Sequence, residues 1–585
     1  MNRRPWVGLV VLVGLTVLPY LAFLNHPFHY DDFHSIVENP HVRTWANLPG
    51  FFTDAGMFSS DPRSAMYRPL VLVSYALNHA LSGYRAWSYH ALNLLVHLAA
   101  VGLVFVLGRR VSGDGGTGLV AAAFFALHPA NGEVVNYISS RSESLGAVFL
   151  LAGLLAYDCG IAADRDRIWW RLAGLTAFAA SLLAKSVGIV LLPLLVFWEI
   201  GRGYEGGRAL LLRIGRRQWP FWLVGLAYLL FTRRLLTQAL VEQPVRSLDV
   251  QLLTQVKALV YYGILLVMPV DLSVDHQFVL ALAWWQPVVL LSALLLASLA
   301  WLGWRGRHRL PLGLVWLAWP VVVLLPTIVV PLNVLVNEHR LYLPTVALAV
   351  SLGLFWRARG DGWGRAGLLM GGVWLLLFAI LAGQRTQVWR SESSLWADAL
   401  EKGPLMPRPR IELADRLKEE GRHEAAMAEY QRALTAYPEA LSPLDRVVAY
   451  NNLGATCLAA GRFVEAVKAY QQALSLDPEY APARQSLDGL LALRQTERNP
   501  AAERLRKEGL HRLIAGDLEG ARLRLEESLQ VQNDPQTWMA LALVHERRGD
   551  RQAALQAYQA VAVVGRGEAY AQTAEEKVRA LATPR

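Results

Sequence analysis

Apolar residues fill the first two thirds of the chain in runs separated by short polar breaks, and the pattern changes near residue 384. Runs near 6–24, 89–107, 117–133, 141–158, 171–200, 219–235, 254–269, 285–304, 311–330, 341–357 and 365–384 approach the ~20 residues an α-helix needs to cross a bilayer. Several are short enough to be re-entrant, and 171–200 reads as one long span or two short ones. The pattern predicts an all-α fold in which residues 1–384 form a polytopic membrane bundle of about eleven to twelve spans. The N-terminal stretch "MNRRPWVGLVVLVGLTVLPYLAFLNH" has the charged start of a signal peptide. Its apolar run is long and no small-x-small cleavage site follows, so it reads as a retained first span.

Beyond residue 384 the periodicity becomes that of paired amphipathic helices. "RIELADRLKEEGRHEAAMAEYQRALTAYPEA" aligns with "AYNNLGATCLAAGRFVEAVKAYQQALSLDPEY", pairing Gly421 with Gly461, Ala426 with Ala466, Tyr430 with Tyr470, Ala433 with Ala473 and Pro438 with Pro478. Small residues where two helices touch, an aromatic knob and a closing proline are the tetratricopeptide (TPR) pattern. Weaker copies lie around "AGDLEGARLRLEESL" and "WMALALVHERRGDRQAALQAYQA", so residues 385–585 read as a TPR α-solenoid of about four repeats. A generic helical array is the plainer alternative.

Charge changes the picture in one respect. The 585-residue chain is 54% hydrophobic and 18% charged, with a net charge of +10. Its arginines cluster between apolar runs, at Arg109–Arg110, Arg202–Arg217, Arg305–Arg309 and Arg357–Arg365, which fits positive-inside topology rather than nucleic-acid binding. Placing these clusters in the cytoplasm puts the N-terminus inside. The first loop (25–88), 129–140, 331–340 and the TPR region then lie on the extracytoplasmic side. Counting from the two ends agrees only if 171–253 holds a split or re-entrant segment. Cys159 and Cys457 are too few for a disulfide framework or a Cys-based zinc site.

Polar residues in the membrane half gather near the outer ends of the runs. "YDDFHSIVENPHV" carries Asp31, Asp32, His34, Glu38 and Asn39 just past the first run. Arg68 precedes an amphipathic stretch, and His90, Asn93 and His97 recur on one helical face. "ALHPANGEVVNYISSRSESL" carries His128, Glu133 and Arg141; Lys185 interrupts an apolar run; Glu338, His339 and Arg340 open another. Each has a plain explanation: a loop cap for the aspartates, interhelical hydrogen bonds for the histidines, snorkelling for Lys185. Their shared membrane face instead suits an anionic lipid head group held by Arg or Lys beside a carboxylate.

The chain resembles the multi-span glycosyltransferases of the GT-C class, specifically the TPR-bearing transmembrane O-mannosyltransferase-like family and its bacterial relatives. "YDDFHSIVENPHV" looks like the acidic first-loop signature. "YRPLVLVSYALN", "YHALNLLVHL", "ALHPANGEVVNYISSRSESLGAVFLLAGLLAY", "LLAKSVGIVLLPLL" and "EHRLYLP" look like the later blocks, in order. Asp32 stands where protein O-mannosyltransferases carry Glu, and Asn131–Gly132 also departs from the pattern; both bear on sugar and acceptor.

The resemblance implies sugar transfer from a polyprenyl-phosphate donor in a bacterial inner or plasma membrane to an acceptor hydroxyl, with Ser/Thr of a protein or peptide bound by the TPR array as the expected acceptor. Asp31 would be the general base, while Asp32 would orient it, bind acceptor or hold a metal. Arg340, Arg141 and Lys185 would bind the leaving phosphate. His34, Arg68, His90, Asn93, His128, Glu133, Glu338 and His339 would line the pocket. No cofactor is required, and a divalent metal is compatible. The rivals are a non-enzymatic TPR membrane scaffold for envelope polysaccharide or protein assembly, and a transporter, for which internal repeats in the membrane half are expected and are not evident.

Overall fold

The computed structural model describes residues 4–162, 167–202, 207–237, 246–306, 311–359, 364–496, 499–564 and 569–582, and within them every regular element is helical. Parts of the basic connectors, at 203–206, 307–310 and 360–363, lie outside the described residues. The chain packs as two units, Met1–Pro409 and Arg410–Arg585. This boundary falls later than the hydropathy change at 384. The cause is the helix Glu392–Lys402, whose Leu395, Trp396 and Ala399 are buried with Tyr137, Val274 and Trp389 of the first unit.

Seven described helices are long and apolar enough to cross a membrane: Trp87–Ser112, Ile138–Ala162, Leu248–Val267, Pro287–Gly306, Leu312–Val329, Glu338–Arg359 and Leu369–Val388. An eighth is counted if the bent pair Gly115–Leu127 and Pro129–Asn136 is one span. Other expected runs are broken or charged. The first is the helix Arg4–Val17 followed by a 3₁₀ segment, Leu18–Asn25. The 171–200 run is two helices, Arg167–Ala184 and Leu191–Arg202. The run 219–235 lies mostly in Gly207–Phe231, which also carries Arg208, Arg213, Arg216 and Arg217.

Small residues set the packing at the centre of this unit. A methyl group on Gly118 would come within 2.5 Å of the Phe105 carbonyl oxygen, and one on Gly353 within 2.6 Å of that of Thr117. Gly115–Leu127 is thereby held close against both Trp87–Ser112 and Tyr342–Arg359 by backbone approach. It stops at His128–Pro129, where proline offers no N–H and the axis bends by 58°. Asn131 Nδ2 donates to the freed Phe125 carbonyl at 2.8 Å, so the break stays hydrogen-bonded.

The first loop is a folded cap. Ile36, Val42, Phe51, Phe58, Val71, Leu72 and Tyr75 form its own buried cluster with Tyr89 and Ile138. Asn39 is buried within it, donating to Ser35, Met57 and Phe58 carbonyls and accepting from the His41 N–H.

In the second unit, four helix pairs carry the repeats: Pro407–Glu419 with His423–Ala436, Pro443–Ala459 with Phe463–Leu476, Pro500–Ile514 with Leu518–Val531, and Pro535–Arg548 with Arg551–Val564. The first of these begins a few residues before the packing boundary. Gly421 and Gly461 take φ of 75° and 76° in their interhelical turns, the left-handed region that disfavours other residues. Tyr470 packs over Gly454, where a methyl group would meet the ring at 2.8 Å.

Candidate functional site

The site is organised by the head of one helix. Residues 139–143, "SSRSE", lead into and begin the helix Arg141–Ala162, and four of their side chains reach four different parts of the unit. Ser139 binds Asp32, Arg141 binds the Trp87–Ser112 and Pro69–Ser82 helices, Ser142 accepts from Arg68, and Glu143 takes Lys185 and His339.

The adjacent aspartates have opposite environments. Asp32 is fully buried. Its Oδ1 accepts from the Ser139 N–H (2.9 Å) and hydroxyl (2.6 Å), and its Oδ2 from the His29 N–H (3.0 Å). Burial pushes the Asp32 carboxyl up to about 7, with the charge of Asp31 adding to it and the hydrogen bonds from Ser139 and His29 opposing. Asp31 keeps 40% of its side chain exposed, with Oδ1 3.4 Å from His34 Nε2. His34 Nδ1 in turn lies 2.9 Å from the Ser59 hydroxyl. Burial lowers the His34 pKa, but the hydrogen bond and charge of Asp31 outweigh it and the net direction is upward.

The preceding residue, Tyr30, has φ of 48°, an uncommon conformation for a residue with a large side chain. It is fixed from outside the loop. The Tyr30 N–H donates to Glu392 at 2.9 Å, and its ring lies 5.8 Å from that of Trp396. The Asp31 N–H donates to the Tyr137 hydroxyl at 3.0 Å. The Asp31 carboxylate is therefore aimed by several elements.

A second group surrounds Glu143. Lys185 donates to Glu143 Oε1, and His339 Nε2 lies 3.6 Å from the same oxygen. His339 Nδ1 is 2.8 Å from Glu133 Oε1, and its backbone N–H donates to Glu133 Oε2 at 3.2 Å. The break after Ala184 places Lys185 at the end of its helix rather than within an apolar face. The charges of Arg68 and Arg340 both act on Lys185. Arg340 holds the carbonyls of Leu335 (2.9 Å) and Val334 (2.8 Å) and remains partly exposed. Arg68, Lys185 and Arg340 thus form a cationic group around two buried carboxylates.

Other expected pocket residues serve the scaffold. Arg141 is fully buried; it donates to Asn93 (2.7 Å), Ser74 (2.9 Å), Asn78 (2.7 Å) and the Tyr89 carbonyl (2.8 Å), and its guanidinium lies 5.1 Å from the Tyr75 ring centroid. That leaves it no face for a lipid phosphate, contrary to expectation; it locks helices together. Asn93 also donates to the Tyr137 carbonyl at 3.0 Å, His90 to that of His26 at 3.1 Å and His128 to that of Leu266 at 2.9 Å. These three are buried interhelical or helix–loop ties. Glu338 is buried in an adjoining network, with Arg385 3.3 Å from each of its oxygens and His276 at 3.6 Å. Arg385 continues to Asp398 at 3.1 Å. Ser139, Glu143, His276 and Arg385 went unread in the sequence; Glu143 alone carried a signal, as a carboxylate opening an apolar run.

Among the described residues no group of three or more His, Cys, Asp or Glu side chains is arranged to hold a metal ion. Human protein O-mannosyl-transferase TMTC3 is 25% identical over 527 residues, covering 81% of this chain and 56% of its own length. The human TMTC2 protein O-mannosyl-transferase is 31% identical over 199 residues, 33% of this chain and 24% of its own. The chain is similar to protein O-mannosyl-transferases over most of its length. It spans about half the length of the TMTC3 proteins it matches. The tetratricopeptide repeat model matches residues 447–480. Among solved structures, ArnT from Cupriavidus metallidurans aligns over 78% of this chain and 81% of its own in its undecaprenyl-phosphate complex, at 16% identity and a TM-score of 0.35. Its apo form aligns over 81% and 78%, at 15% identity and a TM-score of 0.38.

Proposed function

We propose that this integral membrane protein is a glycosyltransferase that moves a sugar from a polyprenyl-phosphate donor to an acceptor hydroxyl at the extracytoplasmic face. The observation that carries the reading is the pairing of a half-exposed, well-aimed carboxylate, Asp31, with the cations Arg68, Lys185 and Arg340, of which Arg68 is held by Ser142 and Lys185 by Glu143. The acceptor oxygen attacks the anomeric carbon, the bond from that carbon to the donor phosphate oxygen breaks, and the acceptor proton passes to Asp31. The cations stabilise the charge that develops on the departing lipid phosphate. Asp32, whose oxygens are both occupied, orients the loop.

Sidedness is supported by where the arginines gather. Arg110 and Arg202 pair with Asp158, and Arg213 and Arg217 with Glu199, at the end of the Arg141–Ala162 helix away from residues 139–143. Positive-inside topology makes that end cytoplasmic and the Asp31 end extracytoplasmic. In this reading the TPR array binds the protein or peptide acceptor, as concave repeat surfaces do. It requires no cofactor.

The test is to reconstitute the protein with a panel of polyprenyl-phosphate sugars and a Ser/Thr peptide mixture, scoring sugar released or transferred. Turnover of one donor, lost in Asp31→Asn, is expected. No turnover of any donor by folded protein would favour the scaffold.

A further inference from the structure

A cavity of about 610 Å³ lies at the opposite end of the Arg141–Ala162 helix, about 24 Å along the axis from Arg141 to Tyr157, which lines it. Five arginines line it: Arg167 and Arg171 from one helix, Arg213, Arg216 and Arg217 from another; no carboxylate is among its lining residues within the described part of the chain. Buried Glu199 engages Arg217 at 3.1 Å and Arg213 at 3.8 Å, and accepts from the Tyr157 hydroxyl at 2.7 Å. One carboxylate thus accounts for two guanidinium groups, while Arg167 and Arg216 are exposed at the rim.

A second, independent observation bears on the depth of this cavity. Trp169, Trp170, Trp219 and Trp222 are all exposed on the two helices that supply the arginines, and Arg171 lies 5.7 Å from the Trp219 ring centroid. Exposed tryptophans on membrane helices settle at the head-group level. Leu212 in the lining and exposed Leu211 beside it offer apolar surface next to the charges.

We propose that this cavity binds the phosphate head group of an anionic phospholipid at the cytoplasmic leaflet. Guanidinium forks match phosphate oxygens, basic pockets between membrane helices suit such head groups, and the indole belt holds the mouth of the cavity at the height where they lie. A free phosphate ion would use the same arginines without needing the tryptophan level. The site is separate from the sugar-transfer centre and its occupancy does not depend on the transfer reaction.

The test uses the full chain in detergent and measures retained lipid by native mass spectrometry. The probes are phosphatidylglycerol, phosphatidylcholine and inorganic phosphate. Arg167→Gln with Arg216→Gln leaves the Glu199 and Asp158 pairs intact, and a thermal melt verifies folding. Arg305→Gln, on another basic connector, controls for general surface charge. Wild type should retain phosphatidylglycerol over phosphatidylcholine, resist displacement by inorganic phosphate, and weaken about five-fold for each guanidinium removed. Equal retention of the two lipids, unchanged binding in the double variant, an equal loss in Arg305→Gln, or displacement by inorganic phosphate would each overturn the proposal. Where the double variant fails to fold, Arg216→Gln alone takes its place, and equal retention of the two lipids by wild type still overturns the proposal.

Discussion

Ser139 places both its backbone N–H and its hydroxyl on one oxygen of Asp32, at 2.9 and 2.6 Å, joining the first loop to the head of a membrane helix. The carboxyl has a pKa of about 7 in the fold against 3.8 ordinarily. The folded state therefore binds more protons than the unfolded state between those values. Stability should fall as pH rises from about 4 to about 7 and level off above. Thermal unfolding in detergent across that range measures the slope, and Asp32→Asn should flatten it. The same slope in the variant would remove Asp32 as its source.

Asp31→Asn should depress transfer by about 10²–10⁴-fold, the usual loss for a positioned base. Its melting temperature should stay near that of wild type, because the side chain is 40% exposed and outside the loop core. Sugar-transfer rate and melt are read on the same preparation. Near-normal turnover would take Asp31 out of the reaction.

The Lys185–Glu143 pair is nearly buried, with side chains 14% and 8% exposed. Lys185→Met alone strands a carboxylate in a low-dielectric setting and should cost about 3–5 kcal/mol. Combining it with Glu143→Gln should recover most of that stability without recovering transfer, since a cation at the donor phosphate is still missing. Recovery of both would assign the pair a purely structural role.

Arg340→Ala should weaken donor binding, and Arg340→Lys should restore only part of it, because an ammonium lacks the planar fork. Titration with a polyprenyl-phosphate sugar reads this directly. Unchanged affinity in both variants would move the phosphate contact to Arg68 or Lys185.

Deleting the repeats after Pro409, the packing boundary, should spare donor binding and hydrolysis and depress transfer to a macromolecular acceptor. A cut near residue 400 would remove or expose part of the helix that buries Trp396 and Ala399 and should lower stability as well. Equal transfer to protein acceptors with and without the repeats would end the acceptor-binding role.

Much of the architecture was legible because it is local. Gly421, Gly461, Tyr430 and Tyr470 announce the repeats through spacing alone, and turn geometry and packing follow from it. The site was legible in part. Periodicity placed His90 and Asn93 on one face, yet it cannot say what lies opposite, and they meet backbone carbonyls of His26 and Tyr137. The aspartate pair divided between both readings: Asp32 ties the loop, whereas Asp31 stays open. Ser139 and Arg385 escaped notice because their partners, Asp32 and Glu338, are distant in sequence, and a serine or an arginine at a helix end looks like ordinary capping.

Residues 139–143 have a consequence for how such a chain diversifies. Replacing Ser139 disturbs the acid loop, replacing Arg141 loosens two helices, and replacing Glu143 leaves a lysine and a histidine without their carboxylate. Drift at any of these positions is viable only with a matching change elsewhere in the membrane half. In the proposed transfer reaction, sugar and acceptor preference is therefore rewritten more freely at the half-exposed rim around Asp31 than at these buried ties.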